Sequence, residues 1–553
     1  MESTPAANRH SKTLIRGTGV VGGLTLISRL LGFIRDALVA RLFGAGPYAD
    51  AFFVAFRIPN LLRSFVAEGA LTSAFVPTFA EELRAGVERA RAAIRVVTGA
   101  ILIVTASLTL GGIIFAPDLV TLIAPGFTTN PEKFELCVLL TRIMLPFIIC
   151  ISLVALMNGA LNSLGIFGTA AWAQVWMNVA LIGGAIVADV FVGPTAAIAL
   201  AASVVVGGIV QVMTQVPALR RAGYTLRPSG PLLSPVTKSI AKLMVPALIG
   251  ATVYQISIFL NTLLASLLAE GSIAWLFYAD RLAQLPIGIF TIALASVVLP
   301  TLATAHAGGD RAVFSSSLVN SLRYTSFVII PISAVLGILA EPIIKLLFER
   351  GEFSAEASRQ TALAVQALAL GLWGTSCHSM MTRALIAGKD TRTPTLIGMS
   401  SLIIGFILSV ALMGRPVAAS PGPIGEPILA LRTQLEGVGF AASLGHVGLA
   451  LASSLGATIA FVLTTLVVVK RIGSSGWGPF VLATVKAGAA SGLMCATISA
   501  LDVTRFSPPL GTALGVAVGV GVYLLSSFAL RTTELGETAL LIKKIVRRGT
   551  RSD

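Results

Sequence analysis

The stretch "SRLLGFIRDALVARLFG", residues 28–44, carries Arg29, Arg35, Asp36 and Arg41 inside an otherwise apolar run. On an ideal helix Arg29, Arg35 and Asp36 fall within an arc of about 120°. The next run repeats the theme: Asp50, Arg57, Asn60, Arg63 and Glu68 lie within about 140° of one another, with Pro59 as a bend. A third run adds Tyr278, Asp280, Arg281 and Gln284 ahead of Pro286. Arginine does one kind of chemistry well in such a place. Its planar fork matches phosphate oxygens two at a time and stays charged whatever the pH. A charge at the bilayer centre costs at least ~2.5–3.5 kcal/mol on insertion scales, so these side chains cannot face lipid. Two readings follow. Either the arginines line a wet cavity and bind an anion, or each pairs with Asp36, Asp50, Glu68 or Asp280 to lock helices together. Arginines at similar depth on three runs favour the anion site. Arg41 is near the end of its run, where it can snorkel to the interface.

The elements that must carry these residues are membrane helices. Of 553 residues, 55% are hydrophobic and only 12% charged, which is too few charges to coat a soluble fold of this size. Apolar runs long enough to span a bilayer recur along nearly the whole chain. The alternating pattern of a membrane β-barrel is absent. The fold class is an all-α polytopic membrane protein of about 14 transmembrane helices. They run roughly over 17–42, 50–80, 90–115, 134–163, 168–190, 195–219, 239–268, 272–304, 313–339, 358–387, 394–413, 438–469, 480–501 and 510–530. Residues 1–16 are polar and basic like the start of a signal peptide. No small-residue cleavage site follows, however, and the apolar run continues to Phe43, so an uncleaved first span is expected.

Charge sets the orientation. With the N-terminus in the cytoplasm, inside loops and tails hold about 20 Lys and Arg against roughly 7 outside. An even number of spans then puts both termini inside. The formal net charge of +15 is accounted for by this bias, without nucleic acid as a partner. The terminal "LLIKKIVRRGTRSD" is expected to anchor on anionic lipid, with partner binding as the other reading.

The chain also repeats itself. "ARLFGAGPYADAFFVAFR" from Ala40 is similar to "ASLLAEGSIAWLFYADR" from Ala265, and "FVPTFA" at 75–80 is similar to "VLPTLA" at 298–303. Spans 1–2 and 7–8 are therefore corresponding elements. Two pseudo-symmetric six-helix lobes with a site between them is a known transporter plan. The expected layout is a cytoplasmic tail at 1–16, an N-lobe at 17–222, a linker at 223–238, a C-lobe at 239–470, two further helices within 471–531 and a basic tail at 532–553.

Several classes are excluded. No G-x-x-x-x-G-K-[ST] loop is present, so the chain does not hydrolyse nucleotide. No Ser/His/Asp set, paired-carboxylate site or zinc signature stands out, so an enzyme is not expected. Cys137, Cys150, Cys377 and Cys495 lie in or beside apolar runs without a C-x-x-C pair and read as core thiols. His10, His306, His378 and His446 are scattered, so no metal or other cofactor is expected. A secondary transporter or flippase remains.

At this point the residues resemble a known family. "SRLLGFIRDALVARLFGAG", "ADAFFVAFRIPNLLRSFVAEGALTSAFVPTFAE", "APGF", "FYADRL" with "LPIGIFTIALASVVLPTLA", and "FERGEFS" are similar to the MurJ (MviN) lipid II flippases of the MOP exporter superfamily. The resemblance implies a bacterial inner-membrane protein that moves lipid II, the undecaprenyl-pyrophosphate-linked disaccharide-pentapeptide of peptidoglycan, from the cytoplasmic to the periplasmic leaflet. It implies membrane lipids and cell-wall synthesis proteins as partners. It places substrate-binding arginines at Arg29, Arg35, Arg63 and Arg281, with acidic partners at Asp36, Asp50 and Glu68. It gives the last two helices a groove for the polyprenyl tail. A flippase for another undecaprenyl-linked oligosaccharide, or a MATE-like exporter, is the alternative. Three departures stand out. Ser64 follows the "NLLR" arginine where a second basic residue is common. The 414–437 segment is long and rich in Pro and Gly, and is expected to be a solvated loop. Spans 7 and 11 contain no Asp or Glu, so the sodium site of some members is not carried over.

Overall fold

Proline and capping side chains place the helix starts. Pro47, Pro131, Pro194, Pro235 and Pro508 open helices, where a missing N–H costs nothing. Asn130, Ser234, Asp310 and Ser354 each accept a backbone N–H at an N-cap, at 2.9–3.2 Å. The computed structural model describes residues 5–64, 71–231, 233–417, 422–437, 439–440, 442–473 and 476–537, with side chains from residue 22 onward except at 62, 246–254, 472 and 504.

The chain packs as two compact units. The first is Met1–Gly271 with Arg350–Phe353 and Ala418–Glu426. It holds α1 (Pro5–Phe43), α2 (Pro47–Arg63), α3 (Leu71–Ala85), α4 (Val87–Ile114), α5 (Ala116–Ile123), α6 (Pro131–Met144), α7 (Phe147–Ser163), α8 (Gly168–Ala188), α9 (Pro194–Arg221) and α10 (Pro235–Ser266). Here α8 packs on α9 and on α1, α7 on α9, α2 on α6, and α10 on α3. Small residues allow the close approaches: a Cβ on Gly208 would meet Phe147 and Cys150 at 2.8 Å, and one on Gly184 would meet Ser203 at 2.2 Å.

The second unit is Ser272–Glu349, Ser354–Val417 and Pro427–Asp553. It holds α11 (Ser272–Pro286), a π-turn at Ile287–Thr291, α12 (Ile292–Ala307), α13 (Arg311–Ile338), α14 (Ala340–Phe348), α15 (Ala355–Ala387) and α16 (Arg392–Met413). α17 (Gly422–Gly437), most of which lies in this unit, α18 (Gly445–Ile472), α19 (Gly478–Leu501) and α20 (Pro508–Ala529) complete it. Its core centres on Leu322, Cys377, Met380, Phe461 and Phe480. Trp373 packs edge-to-face with Phe461 and donates its indole N–H to Ser326 at 2.9 Å.

Among the described residues, ten helices are long and apolar enough to cross a membrane. The fold is all-α and polytopic, as the composition required. Two expected spans are single candidate spans with an internal irregularity: 134–163 carries a turn at Leu145–Pro146, and 272–304 carries the π-turn after Pro286. The expected span 50–80 contains α2 and α3, and residues 65–70 between them lie outside the described residues. The packing boundary falls at Gly271, after α10, whereas the polar segment 223–238 marked the expected one.

The 414–437 segment departs from its expectation as a loop. Most of it is α17. Arg432 is 1% exposed and donates to Glu436 at 3.0 Å, to Ala442 O at 2.7 Å and to Ala411 O. Ala411 lies in the last turn of α16, where carbonyls lack helical partners. The buried guanidinium therefore caps one helix while fixing another. Proline and glycine at 421–427 read as breakers, but Pro423 stands at the helix start, where proline is tolerated.

Gly126 of the "APGF" motif shows a similar constraint. A Cβ there would lie 1.9 Å from Ser266 O at the end of α10, and its N–H donates to Ser266 Oγ at 3.2 Å. Gly126→Ala is expected to destabilise the first unit by about 1–3 kcal/mol through overpacking, read as a lowered thermal midpoint in detergent. An unchanged midpoint contradicts the assigned contact.

Candidate functional site: intramembrane arginines

The charged residues of the first unit sort into locks and half-buried guanidiniums. Arg35 is a lock. Its Nε and Nη2 donate to Asp36 Oδ1 at 2.9 and 2.7 Å, and its Nη1 donates to Asn178 Oδ1 at 3.1 Å. Asn178 in turn donates to Ser28 O at 2.9 Å, so the cluster ties α1 to α8. Arg35 and Asp36 side chains are 14% and 6% exposed.

Asp50 is a second lock. Its Oδ2 accepts from Lys133 Nζ at 2.8 Å and from Gly271 N at 2.9 Å. Lys133 also lies 4.4 Å from the centroid of the Phe127 ring. The pair is buried, and it joins α2, α6 and the turn after α10. Arg57 donates to Ile258 O of α10 at 3.1 Å. Each of these contacts satisfies a charge inside apolar surroundings, where an unmatched one is costly.

Arg29 differs. It is half-buried on α1 and makes no hydrogen bond or ion pair among the described residues. Arg63 is half-buried at the last turn of α2, and Asn60 is half-buried one turn earlier. Glu68 lies outside the described residues. In the second unit Arg281 is half-buried on α11, its guanidinium 4.9 Å from the Phe277 ring centroid. Asp280 is exposed and accepts from Gln284. Tyr278 is fully buried against Phe348.

Three polar residues escaped the sequence reading. Lys133 stands one residue before the expected span 134–163. Asn178 is a lone amide in an apolar helix, and that alone was an available signal, since membrane helices use such groups to join one another. Arg383 on α15 is half-buried and has no partner among the described residues. It falls inside the expected span 358–387, where a lone arginine was an available signal. No group of His, Cys, Asp and Glu among the described residues is arranged to hold a metal ion.

Outside the membrane, hydrogen bonds from Thr393 and the neighbouring Arg471 guanidinium hold the Asp390 carboxyl at about 2. This contact joins the α15–α16 turn to the end of α18. Its stabilisation is present above the ordinary carboxylate range and is lost as pH falls toward 2.

A helical fold of this length, with ten apolar candidate spans among the described residues and charged side chains within its helices, defines a polytopic membrane protein. The backbone is similar to a solved "Lipid II flippase MurJ, inward closed conformation", with a TM-score of 0.76 and 24% identity over 92% of this chain and 98% of that one. A solved MATE family multidrug resistance transporter of the MOP superfamily gives a TM-score of 0.62 at 17% identity, covering 82% and 97%. Residues 39–422 match the family described as "Lipid II flippase MurJ". The chain is 35% identical to the lipid II flippase MurJ of Burkholderia cenocepacia over 466 residues, covering 83% of this chain and 84% of that one. It is 39% identical to a probable lipid II flippase MurJ of Rhizobium meliloti over 416 residues, covering 74% and 77%. The chain belongs to the MurJ family.

Removing one partner of a buried ion pair costs about 3–5 kcal/mol, whereas replacing both with apolar groups costs much less. Lys133→Ala is therefore expected to lower the thermal midpoint clearly, and Lys133→Met with Asp50→Leu to recover part of the loss. Equal midpoints for all three proteins contradict the lock.

Proposed function

We propose that this chain is a secondary transporter of the bacterial inner membrane that flips lipid II from the cytoplasmic to the outer leaflet by alternating access. Arg29, Arg63 and Arg281 bind the pyrophosphate, while Arg35 with Asp36, and Asp50 with Lys133, hold the helices that carry them. Arg57, Asn60, Glu68 and Asp280 supply supporting polarity. The observation that carries this reading is Arg29: a half-buried guanidinium without a counter-charge among the described residues, in a chain of the MurJ family. A cationic drug would call for the opposite sign of charge. A pyrophosphate supplies the missing anion and accepts the guanidinium fork bidentately.

The proposed topology has fourteen spans. Ten helices meet the length and hydropathy required. The other four are α1, α2 with α3, α10 and α15, and most of the functional charges fall in them. Spans 1–6 and 7–12 form the two pseudo-symmetric lobes, and both termini lie in the cytoplasm. The last two helices present a broad apolar face, including Val481, Val485, Leu525 and Phe528, which suits a polyprenyl tail.

The test is transport of lipid II in vesicles reconstituted with equal amounts of protein. Arg29→Ala, Arg63→Ala and Arg281→Ala are each expected to slow flipping about tenfold or more, the equivalent of ~1.4 kcal/mol. Arg→Lys at the same positions is expected to impair it too, because an ammonium lacks the fork. Unchanged flipping in all three Ala variants overturns the assignment.

A further inference from the structure

The second unit contains a cavity of about 610 Å³ that the reading above leaves without a role. One wall is the π-turn and α12, with Ile289, Phe290 and Val297. The other is α13, with Asn320, Tyr324 and Val328. Both walls belong to helices that qualify as membrane spans, so the cavity lies at bilayer depth.

Local chemistry explains why the gap stays open. Pro286 ends α11, and the π-turn that follows fits an extra residue into the rod. Ile289 and Phe290 are turned outward there, 48% and 43% exposed. α13 is held from behind. Ser326 accepts from Trp373 and pairs with Thr484 Oγ1 at 3.1 Å, and Phe327 O accepts from Tyr523 at 2.6 Å. Held this way, α13 packs on α12 along one side, and the cavity stays open beside that contact.

The lining is mostly apolar, with hydroxyl and amide groups toward both ends: Thr291 and Thr325 at one, Thr301, Ser317 and Asn320 at the other. From Ile289 to Thr301 the wall is about 18 Å long, comparable to one leaflet.

We infer that this cavity seats an isoprenoid chain, taking the units next to the phosphate of the transported lipid. The inference rests on the lipid flippase reading and on Arg281 as a phosphate ligand. Arg281 precedes Ile289 by eight residues on the same rod, about 12 Å along the axis. A phosphate held at Arg281 therefore has the cavity within reach of its own chain. A headgroup drawn to mid-bilayer leaves its chain in the leaflet it came from. The Thr301–Ser317 end adjoins the polar turn at 306–310, which faces the cytoplasm in the proposed orientation. Bilayer depth rules out a soluble peptide as occupant, and an ordinary phospholipid chain is the competitor.

The test uses the full chain in vesicles of phosphatidylethanolamine and phosphatidylglycerol, doped with undecaprenyl phosphate. A photoreactive benzoylphenylalanine replaces Val297 in one protein, Val328 in a second and Ile403 in a third. Ile403 on α16 is 57% exposed and lies outside the cavity, so it serves as the lipid-facing control. Mass spectrometry is expected to find the polyprenyl adduct at Val297 and Val328 at least about five times more often than at Ile403. Val297→Trp combined with the probe at Val328 is expected to abolish that enrichment. Phospholipid adducts alone at Val297 and Val328, in the same pattern as at Ile403, overturn the inference, and so does equal polyprenyl labelling at all three. The probe lipid carries neither saccharide nor peptide. Enrichment without lipid II transport therefore supports the cavity while removing the flippase reading, and transport without enrichment removes only the cavity.

Discussion

The free-energy cost of holding a guanidinium inside a bilayer is the constraint on which the rest of this structure depends. An arginine there must find a carboxylate, a ring of carbonyls, a wet cavity or an anion. The chain uses several of these solutions side by side. Arg35 takes a carboxylate and an amide, and Arg57 a backbone carbonyl. Arg29 takes none among the described residues. The satisfied arginines are framework, and the contrast with them gives Arg29 its meaning.

That framework is built from neighbours that cannot be exchanged freely. Asp50 joins two donors from distant parts of the first unit, and Gly126 lets the chain pass within contact distance of Ser266. Phe127, the next residue, lies beneath Lys133. The "APGF" motif thus supports a buried charge.

Much of the fold was legible in the sequence because hydropathy and helix length are local properties. The all-α membrane class, most span positions and the special nature of α1, α2 and α11 all follow from counting. The division of labour among the charges was not legible. Arg29 and Arg35 share a face and a motif, yet only Arg35 meets Asn178, which is 143 residues away. No periodicity encodes that meeting. Lys133 stayed hidden for the same reason, since its partner Asp50 is 83 residues distant. α17 was missed for a local reason: its prolines and glycines resemble a loop, and the Arg432 contacts that hold it are tertiary. The π-turn after Pro286 is likewise a feature of packing, although proline marked its place.

The central claim is that intramembrane arginines recognise a diphosphate. Its most direct test is the affinity of the purified chain for undecaprenyl pyrophosphate compared with undecaprenol, in the native protein and in the combined Arg29→Ala, Arg63→Ala, Arg281→Ala variant. The account predicts that the pyrophosphate binds the native chain about tenfold more tightly or better, ~1.4 kcal/mol, and that the variant loses this preference. Equal affinity for the two lipids, or an unchanged preference in the variant, contradicts it.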